Sequence, residues 1–183
     1  CQKYDLRLFI DGARLGYGLV SAACDYDLPF LAKHCDVFYI GGTKVGAMMG
    51  EAVVFSGMKA PKYFFTNVKR HGALLAKGRM LGIQFDTLFT DELYFKISRH
   101  AIAMATRIRS IFEKHGITIA YDSPTNQQFV VLSPTLYEAL SQKVAFEIWE
   151  RKSEHEIICR FVTSWATKEE ELDELDRILQ AYA

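Results

Sequence analysis

Twenty residues in the first third of the chain constrain its fold most: "DVFYIGGTKVGAMMGEAVVF", Asp36 to Phe55. Two apolar runs rich in β-branched and aromatic residues, DVFYI and EAVVF, flank a segment dominated by glycine and small residues, with Lys44 in its midst. Runs of this length and composition read as buried strands. LRLFID, Leu6 to Asp11, reads as a third, ending at a carboxylate and followed by the glycine-bearing turn DGARLGYG. Between them LPFLAKHC, Leu28 to Cys35, suits a short helix with proline in its first turn. Strands alternating with helical stretches predict an α/β domain with a partly parallel sheet.

Further along, Pro61 to His71 reads as helical. A longer helix is expected from about Asp91 to His115, where Ile97, Ala101, Met104, Ala105, Ile108, Ile111 and Phe112 recur at spacings of three and four and Gly116 supplies a stop. Beyond it, ITIAYDSPTNQQFVVLS brings strands and a turn, Pro134 to Gln142 a helix, and VAFEIWE and IICRFVTSW two strand-like runs. Thr167 to Glu170 spells a Thr-x-x-Glu capping box before a helix with Leu172, Leu175, Ile178, Leu179 and Tyr182 on one side. The expected organisation is a first domain over 1–116, which includes the long connecting helix, and a small α+β domain over 117–183.

Bulk properties narrow the function by exclusion. Of 183 residues half are apolar and 24% charged, and 22 Lys plus Arg balance 22 Asp plus Glu. No global field therefore draws the chain to nucleic acid or to an anionic membrane. No stretch supplies the roughly 20 apolar residues a membrane helix needs, and no secretory leader pattern opens the chain. Cys1, Cys24, Cys35 and Cys159 form no CxxC and have no metal-ligand spacing, which predicts reduced thiols in a cytoplasmic protein and no metal site. The chain starts on Cys1 rather than methionine and enters a strand pattern at once, a start that reads as the middle of a longer protein.

Chemistry concentrates at two strand ends. Asp11 and Lys44 each follow a strand, and in open α/β sheets ligands sit outside the carboxyl ends of strands. Small neighbours (Gly41, Gly42, Thr43, Gly46, Ala47) leave room for a planar ligand to approach the Lys44 amine. Desolvation there would favour the neutral amine that Schiff-base chemistry uses. From spacing alone, a lysine on a solvated loop is the plainer reading. A phosphate-binding P-loop does not fit, because Thr43 precedes Lys44 and Val45 follows it. Asp11 and Arg14 form the pair "DGAR". A carboxylate at a strand end can hold a pyridinium nitrogen protonated, and an arginine three residues on can reach a phenolate or a carboxylate. A turn aspartate beside a surface arginine is the plainer reading of the same four letters.

Five ordered segments, LFIDGARLGYG, CDVFYIGGTKVGAMMGEAVVF, RHGALLAKGRMLGIQF, SPTNQQF and RFVTSW, resemble the low-specificity threonine aldolases. These are β-eliminating lyases among the fold-type I pyridoxal-phosphate enzymes. The resemblance implies the second half of the large domain, mostly parallel sheet with helices, followed by the small C-terminal domain. It also implies an absent N-terminal half with a glycine loop and a ring-stacking histidine. By it, Lys44 is the Schiff-base lysine of pyridoxal 5'-phosphate, Asp11 pairs with the ring nitrogen, and Arg14 lies by the ring oxygen and the substrate carboxylate. Arg160 corresponds to the small-domain arginine that grips that carboxylate. Its place in IICRFVT, one charge in an apolar run, calls for a partner, although an edge strand with its head in water would also serve.

Lys69, Arg70 and Arg79, with His71 and Lys77 nearby, fall where a neighbouring subunit would help hold the phosphate, but GALLAKGR replaces the expected glycine run. A solvated helix face is the alternative. His34, His100, His115 and His155 read as surface or packing residues. The implied reaction is cleavage of threonine or allo-threonine to glycine and acetaldehyde, in a homodimer or homotetramer whose partner is a small amino-acid substrate. A related pyridoxal-phosphate lyase or aminotransferase, or a non-catalytic module that assembles with a partner, are the other readings.

Overall fold

Asp36 sets the register of the first sheet. Its carboxylate accepts the Leu8 N–H at 2.8 Å and an Arg7 guanidinium N–H at 2.9 Å, while the Leu8 carbonyl accepts the N–H groups of Asp36 and Val37 at 3.0 and 3.3 Å. The Leu8 amide and then Arg7 hold this carboxyl below the usual carboxylate range. These contacts are seen in a computed structural model that describes residues 1–182. The chain divides into two compact units, Cys1–Leu19 with Cys24–Ile97, and Val20–Ala23 with the residues from Ser98 onward.

In the first unit β1 (Phe9–Ile10) pairs in parallel with β2 (Val37–Gly41), which pairs antiparallel with β3 (Glu51–Phe55). The partly parallel sheet expected from the alternation is therefore present. The run expected as a buried strand from Leu6 to Asp11 contracts to two residues, with Leu6 61% and Phe9 59% exposed. The reason is that β1 has one neighbouring strand among the described residues, so its other edge pairs with nothing.

Helix α1 (Leu15–Leu19) forms where a plain turn was expected, burying Leu15, Gly16 and Tyr17. Helix α2 (Leu28–His34) has Pro29 in its first turn, and Asp27 caps it by accepting the Phe30 N–H at 2.8 Å. Helix α3 (Phe64–Arg70) is the expected helix, shortened. Helix α4 (Arg79–Phe89) was not anticipated. The long helix α5 (Leu93–Lys114) starts in the first unit and continues into the second. Gly116, at φ 70°, follows its end as the stop signal requires.

The second unit is a four-stranded antiparallel sheet in the order β4 (Ile119–Tyr121), β5 (Gln127–Leu132), β7 (Ile157–Val162), β6 (Glu147–Arg151). Helices α6 (Pro134–Ser141) and α7 (Glu169–Gln180) complete it. The predicted face of α5 supplies Met104, Ile108, Ile111 and Phe112 to a core shared with Val130, Leu132, Ile157, Phe161, Leu172 and Leu179. Strict alternation of buried and half-buried residues along β5 follows from the period of two.

The capping box at α7 lies one residue later than the sequence suggests. Glu171, not Glu170, reaches back, accepting the Lys168 N–H at 3.0 Å, and the Thr167 hydroxyl instead accepts the Ser164 N–H at 2.9 Å. His115 is buried against Asp176, with 2.6 Å between Nε2 and Oδ1, while the exposed His34 ring stacks on Phe30. Cys159 is fully buried, and burial pushes its thiol up to about 11.

Candidate active site

Parallel pairing of β1 with β2 brings Asp11 and Lys44 to the same end of the first sheet. Asp11 follows β1 directly, and Lys44 lies in the single 3-10 turn Thr43–Val45 that follows β2. The two connecting loops touch through their backbones: the Gly41 N–H donates to the Gly12 carbonyl at 2.8 Å. A Cβ on Gly12 would lie 1.7 Å from the Tyr39 carbonyl oxygen, and one on Gly41 2.4 Å from the Ala13 carbonyl oxygen. Gly12 and Gly41 are thus required by close backbone packing, which for Gly41 is a reason for a missing side chain besides the clearance beside Lys44 expected from the sequence.

Two buried tyrosines lock the loops together. The Tyr94 hydroxyl, from the first turn of α5, accepts the Gly16 N–H at 3.0 Å and donates to the Gly41 carbonyl at 3.1 Å. The Tyr17 hydroxyl donates to the carbonyl of Lys44 itself. Desolvation pushes the Tyr94 phenol well above its usual value, so it remains a neutral donor. Val45, fully buried, anchors the other side of Lys44, and the Gly42 N–H donates to the Glu51 carboxylate at 2.9 Å. Gln84 of α4 accepts the Met48 N–H at 2.7 Å, tying that helix to the loop after the lysine. Tyr17, Tyr94 and Gln84 carry no sequence signal, because each acts on backbone groups distant in the chain.

Lys44 is exposed, so the desolvation anticipated for its amine is not supplied by the described residues. Asp11 is exposed as well, and its Oδ1 accepts both the Ala13 N–H at 3.0 Å and the Tyr39 hydroxyl. The Tyr39 hydrogen bond, the Ala13 amide and the charges of Lys44 and Arg14 hold its carboxyl below the usual range. In return, donation to Asp11 pushes the Tyr39 phenol up to about 12. Arg14 is half-buried. Among the described residues neither Arg14 nor Lys44 forms an ion pair.

The other predicted residues sit on other elements. Lys69 and Arg70 end α3 and Arg79 begins α4; all three are exposed, and no hydrogen bond or ion pair joins them to Asp11, Arg14 or Lys44. Arg160 belongs to the second unit, on β7 between β5 and β6, so it is not an edge-strand arginine. Its guanidinium donates to Gln127 Oε1 at 3.0 Å and to the Glu147 carboxylate, and it lies over the Trp149 ring at 5.3 Å. Its Nε is buried and has no hydrogen-bond partner among the described residues. The charge in the apolar run has found its partners.

Two of the resembling segments meet in this unit: the Asn126 amide donates to the Thr163 carbonyl at 2.6 Å, and the Thr163 hydroxyl to the Ala101 carbonyl at 2.7 Å. SPTNQQF and RFVTSW are therefore bound to each other for structural reasons around Arg160. No group of three or more His, Cys, Asp or Glu among the described residues could hold a metal, and no helix among them is long and apolar enough to cross a membrane.

Comparison with known proteins bears on this geometry. No family model matches the chain. It is 28% identical over 182 residues, 99% of its length, to the low specificity L-threonine aldolase of Pseudomonas sp. strain NCIMB 10558, and covers 52% of that protein. To the low specificity L-threonine aldolase of Pseudomonas aeruginosa it is 27% identical over 178 residues, covering 51%. A solved structure of Leishmania major threonine aldolase superposes with a TM-score of 0.95 at 37% identity, over the whole of this chain and 53% of that one. A Sphingomonas wittichii serine palmitoyltransferase shares the fold at a TM-score of 0.67 and 12% identity, covering 98% of this chain and 48% of that one. The chain spans about half the length of the curated relatives it matches, and its fold is that of the corresponding half of the fold-type I pyridoxal-phosphate enzymes.

Proposed function

We propose that this chain carries Lys44, Asp11, Arg14 and Arg160 as parts of a pyridoxal-phosphate site that cleaves β-hydroxy amino acids, threonine or allo-threonine giving glycine and acetaldehyde. The observation that carries the reading is the placing of Asp11 and Lys44 at the ends of adjacent parallel strands, in a chain similar throughout to threonine aldolases. The residues present suit the cofactor: an amine on a 3-10 turn, a carboxylate held ionised and, among the described residues, an Oδ2 without a hydrogen bond and an arginine without an ion pair.

In this reading Lys44 would hold the cofactor through its aldehyde carbon, Asp11 would accept from the ring nitrogen, and Arg14 would serve the ring oxygen or the substrate carboxylate. Bound there, pyridoxal phosphate supplies an electron sink for breaking the Cα–Cβ bond. The protein's part is to orient. The Tyr17 bond to the Lys44 carbonyl and the buried Val45 fix the backbone that presents the amine. Arg160, pre-oriented by Gln127 and Trp149, takes the substrate carboxylate in exchange for Glu147. Lys69, Arg70 and Arg79 are reserved for the phosphate or for a second subunit of a homodimer or homotetramer, and the setting is cytoplasmic.

The test is to incubate the protein with pyridoxal phosphate, reduce with borohydride and map the modified peptide by mass spectrometry. Labelling confined to Lys44, lost in Lys44→Ala, is the expected result, followed by acetaldehyde and glycine release from threonine. Ammonia and a keto acid as products would point instead to a β-eliminating lyase, and dependence on a keto-acid acceptor to an aminotransferase.

A further inference from the structure

Tyr39 stands one step beyond the Ile10↔Phe38 pair of the β1–β2 ladder, level with Asp11 across the parallel strands. Its ring packs against Phe9 with centroids 6.0 Å apart, which suffices to explain an aromatic residue there. It does not explain the hydroxyl, which donates to Asp11 Oδ1. The same oxygen accepts the Ala13 N–H at 3.0 Å, and Oδ2 accepts no hydrogen bond from the described residues.

We propose that Tyr39 is a positioning residue for Asp11: with the Ala13 amide it pins Oδ1, and so reserves Oδ2 for the ring nitrogen of the cofactor. This rests on the reading that pyridoxal phosphate is held at Lys44. The pinning does two things. A carboxylate tethered by one oxygen cannot swing to pair with Lys44 or Arg14, whose charges act on it without forming an ion pair, so the amine stays available to the aldehyde. The donated hydrogen bond also favours the ionised carboxylate, the form that pairs with a protonated ring. A phenol suits the task because it is protonated, and so a donor, at neutral pH, and donation to Asp11 pushes its ionisation further up, to about 12.

Tyr39→Phe, in the intact protein that carries this chain, keeps the ring and removes only the hydroxyl. Two quantities are followed: the titration of the Asp11 carboxyl carbon by NMR without cofactor, and cofactor binding against pH by absorbance. The sign is fixed by the geometry. Tyr39 lowers the proton affinity of Asp11, so its removal raises the pH at which the carboxylate is lost, and the acid limb of binding moves up with it. On that limb binding weakens by about tenfold, the scale of one charged hydrogen bond. In Asp11→Asn the same removal leaves the limb unmoved.

An equal weakening at every pH, or an unchanged Asp11 titration, would show Tyr39 to be packing alone. Absence of borohydride trapping at Lys44 in the unaltered protein would sink the cofactor reading and this role with it, whereas trapping at Lys44 with an unmoved limb would sink the role only. Should Tyr39→Phe not fold, Asp11→Asn gives the reciprocal measurement. Ionisation of the Tyr39 phenol, read by ultraviolet difference, is then expected below 12, and its staying put would overturn the contact.

Discussion

A methyl group on Gly12 would sit 1.7 Å from the Tyr39 carbonyl oxygen and 2.9 Å from its carbon, both backbone atoms with no rotamer to yield. Gly12→Ala is therefore expected to destabilise the protein by about 3 kcal/mol or more, the range of substitutions that force backbone apart. Gly82, exposed on α4 with open space for 4 Å around the place a Cβ would take, is the opposite case. Gly82→Ala should stabilise by about 0.8 kcal/mol, through helix propensity alone. Chemical denaturation of the two variants checks both, and a mild Gly12→Ala would show that the loops carrying Asp11 and Lys44 are not packed as described. That Asp11 and Lys44 each follow a strand was legible in the sequence, because apolar runs that break at small residues leave a local signature. Tyr39, Tyr17 and Tyr94 were not, since their hydroxyls act across 28, 27 and up to 78 residues of sequence.

Elements with a strong period or a strong stop were legible: α5 by its apolar recurrence and Gly116, α2 by its proline and cap, β2 and β3 by their apolar runs, although β3, at the sheet edge, is a strand without the burial expected of it. Helix α4 was missed because Gly82 and Thr87 interrupt its pattern and its tie to the rest of the first unit is tertiary, through Gln84 and the Met48 amide. The one-residue error at α7 yields a discriminating pair of variants. Glu171→Ala is expected to cost about 0.5 to 1 kcal/mol by releasing the Lys168 N–H, and Glu170→Ala close to nothing. Thermal melts of the two separate the frames, and the reverse order would restore Thr167 as the cap. Asp176, on the same helix, adds a pH dependence. Its carboxyl accepts from Lys114 and then His115 and titrates below its ordinary value. A lowered folded-state value stabilises above the unfolded value and is lost as pH falls through the folded one. Asp176→Asn should therefore melt lower than the unaltered protein at pH 7, with the difference closing in the acid range. A difference that persisted undiminished below about pH 3 would assign the effect to packing.

At the scale of the whole chain, both units leave open sheet edges, and they differ in the core behind them. The second unit lays a four-stranded sheet, with edge strands β4 and β6, over a core fed by α5, α6 and α7. In the first, β1 and β3 each have one neighbouring strand among the described residues, and large apolar side chains stand exposed: Leu6 and Phe9 around β1, Val53 on β3. Unpaired N–H and C=O groups beside apolar surface form a template for further strands. Prepared as these 183 residues, the chain is expected to self-associate, eluting in gel filtration well above the size of one copy and more so as concentration rises. Phe9→Lys, which places a charge at the β1 edge, should shift the distribution toward single chains, as lysine does on natural edge strands. Light scattering on the eluate decides the matter: a well-behaved monomer at all concentrations would mean that the edges are protected by their twist and short length. Concentration-dependent assembly relieved by Phe9→Lys would locate the contact at β1, on the strand that leads directly into Asp11.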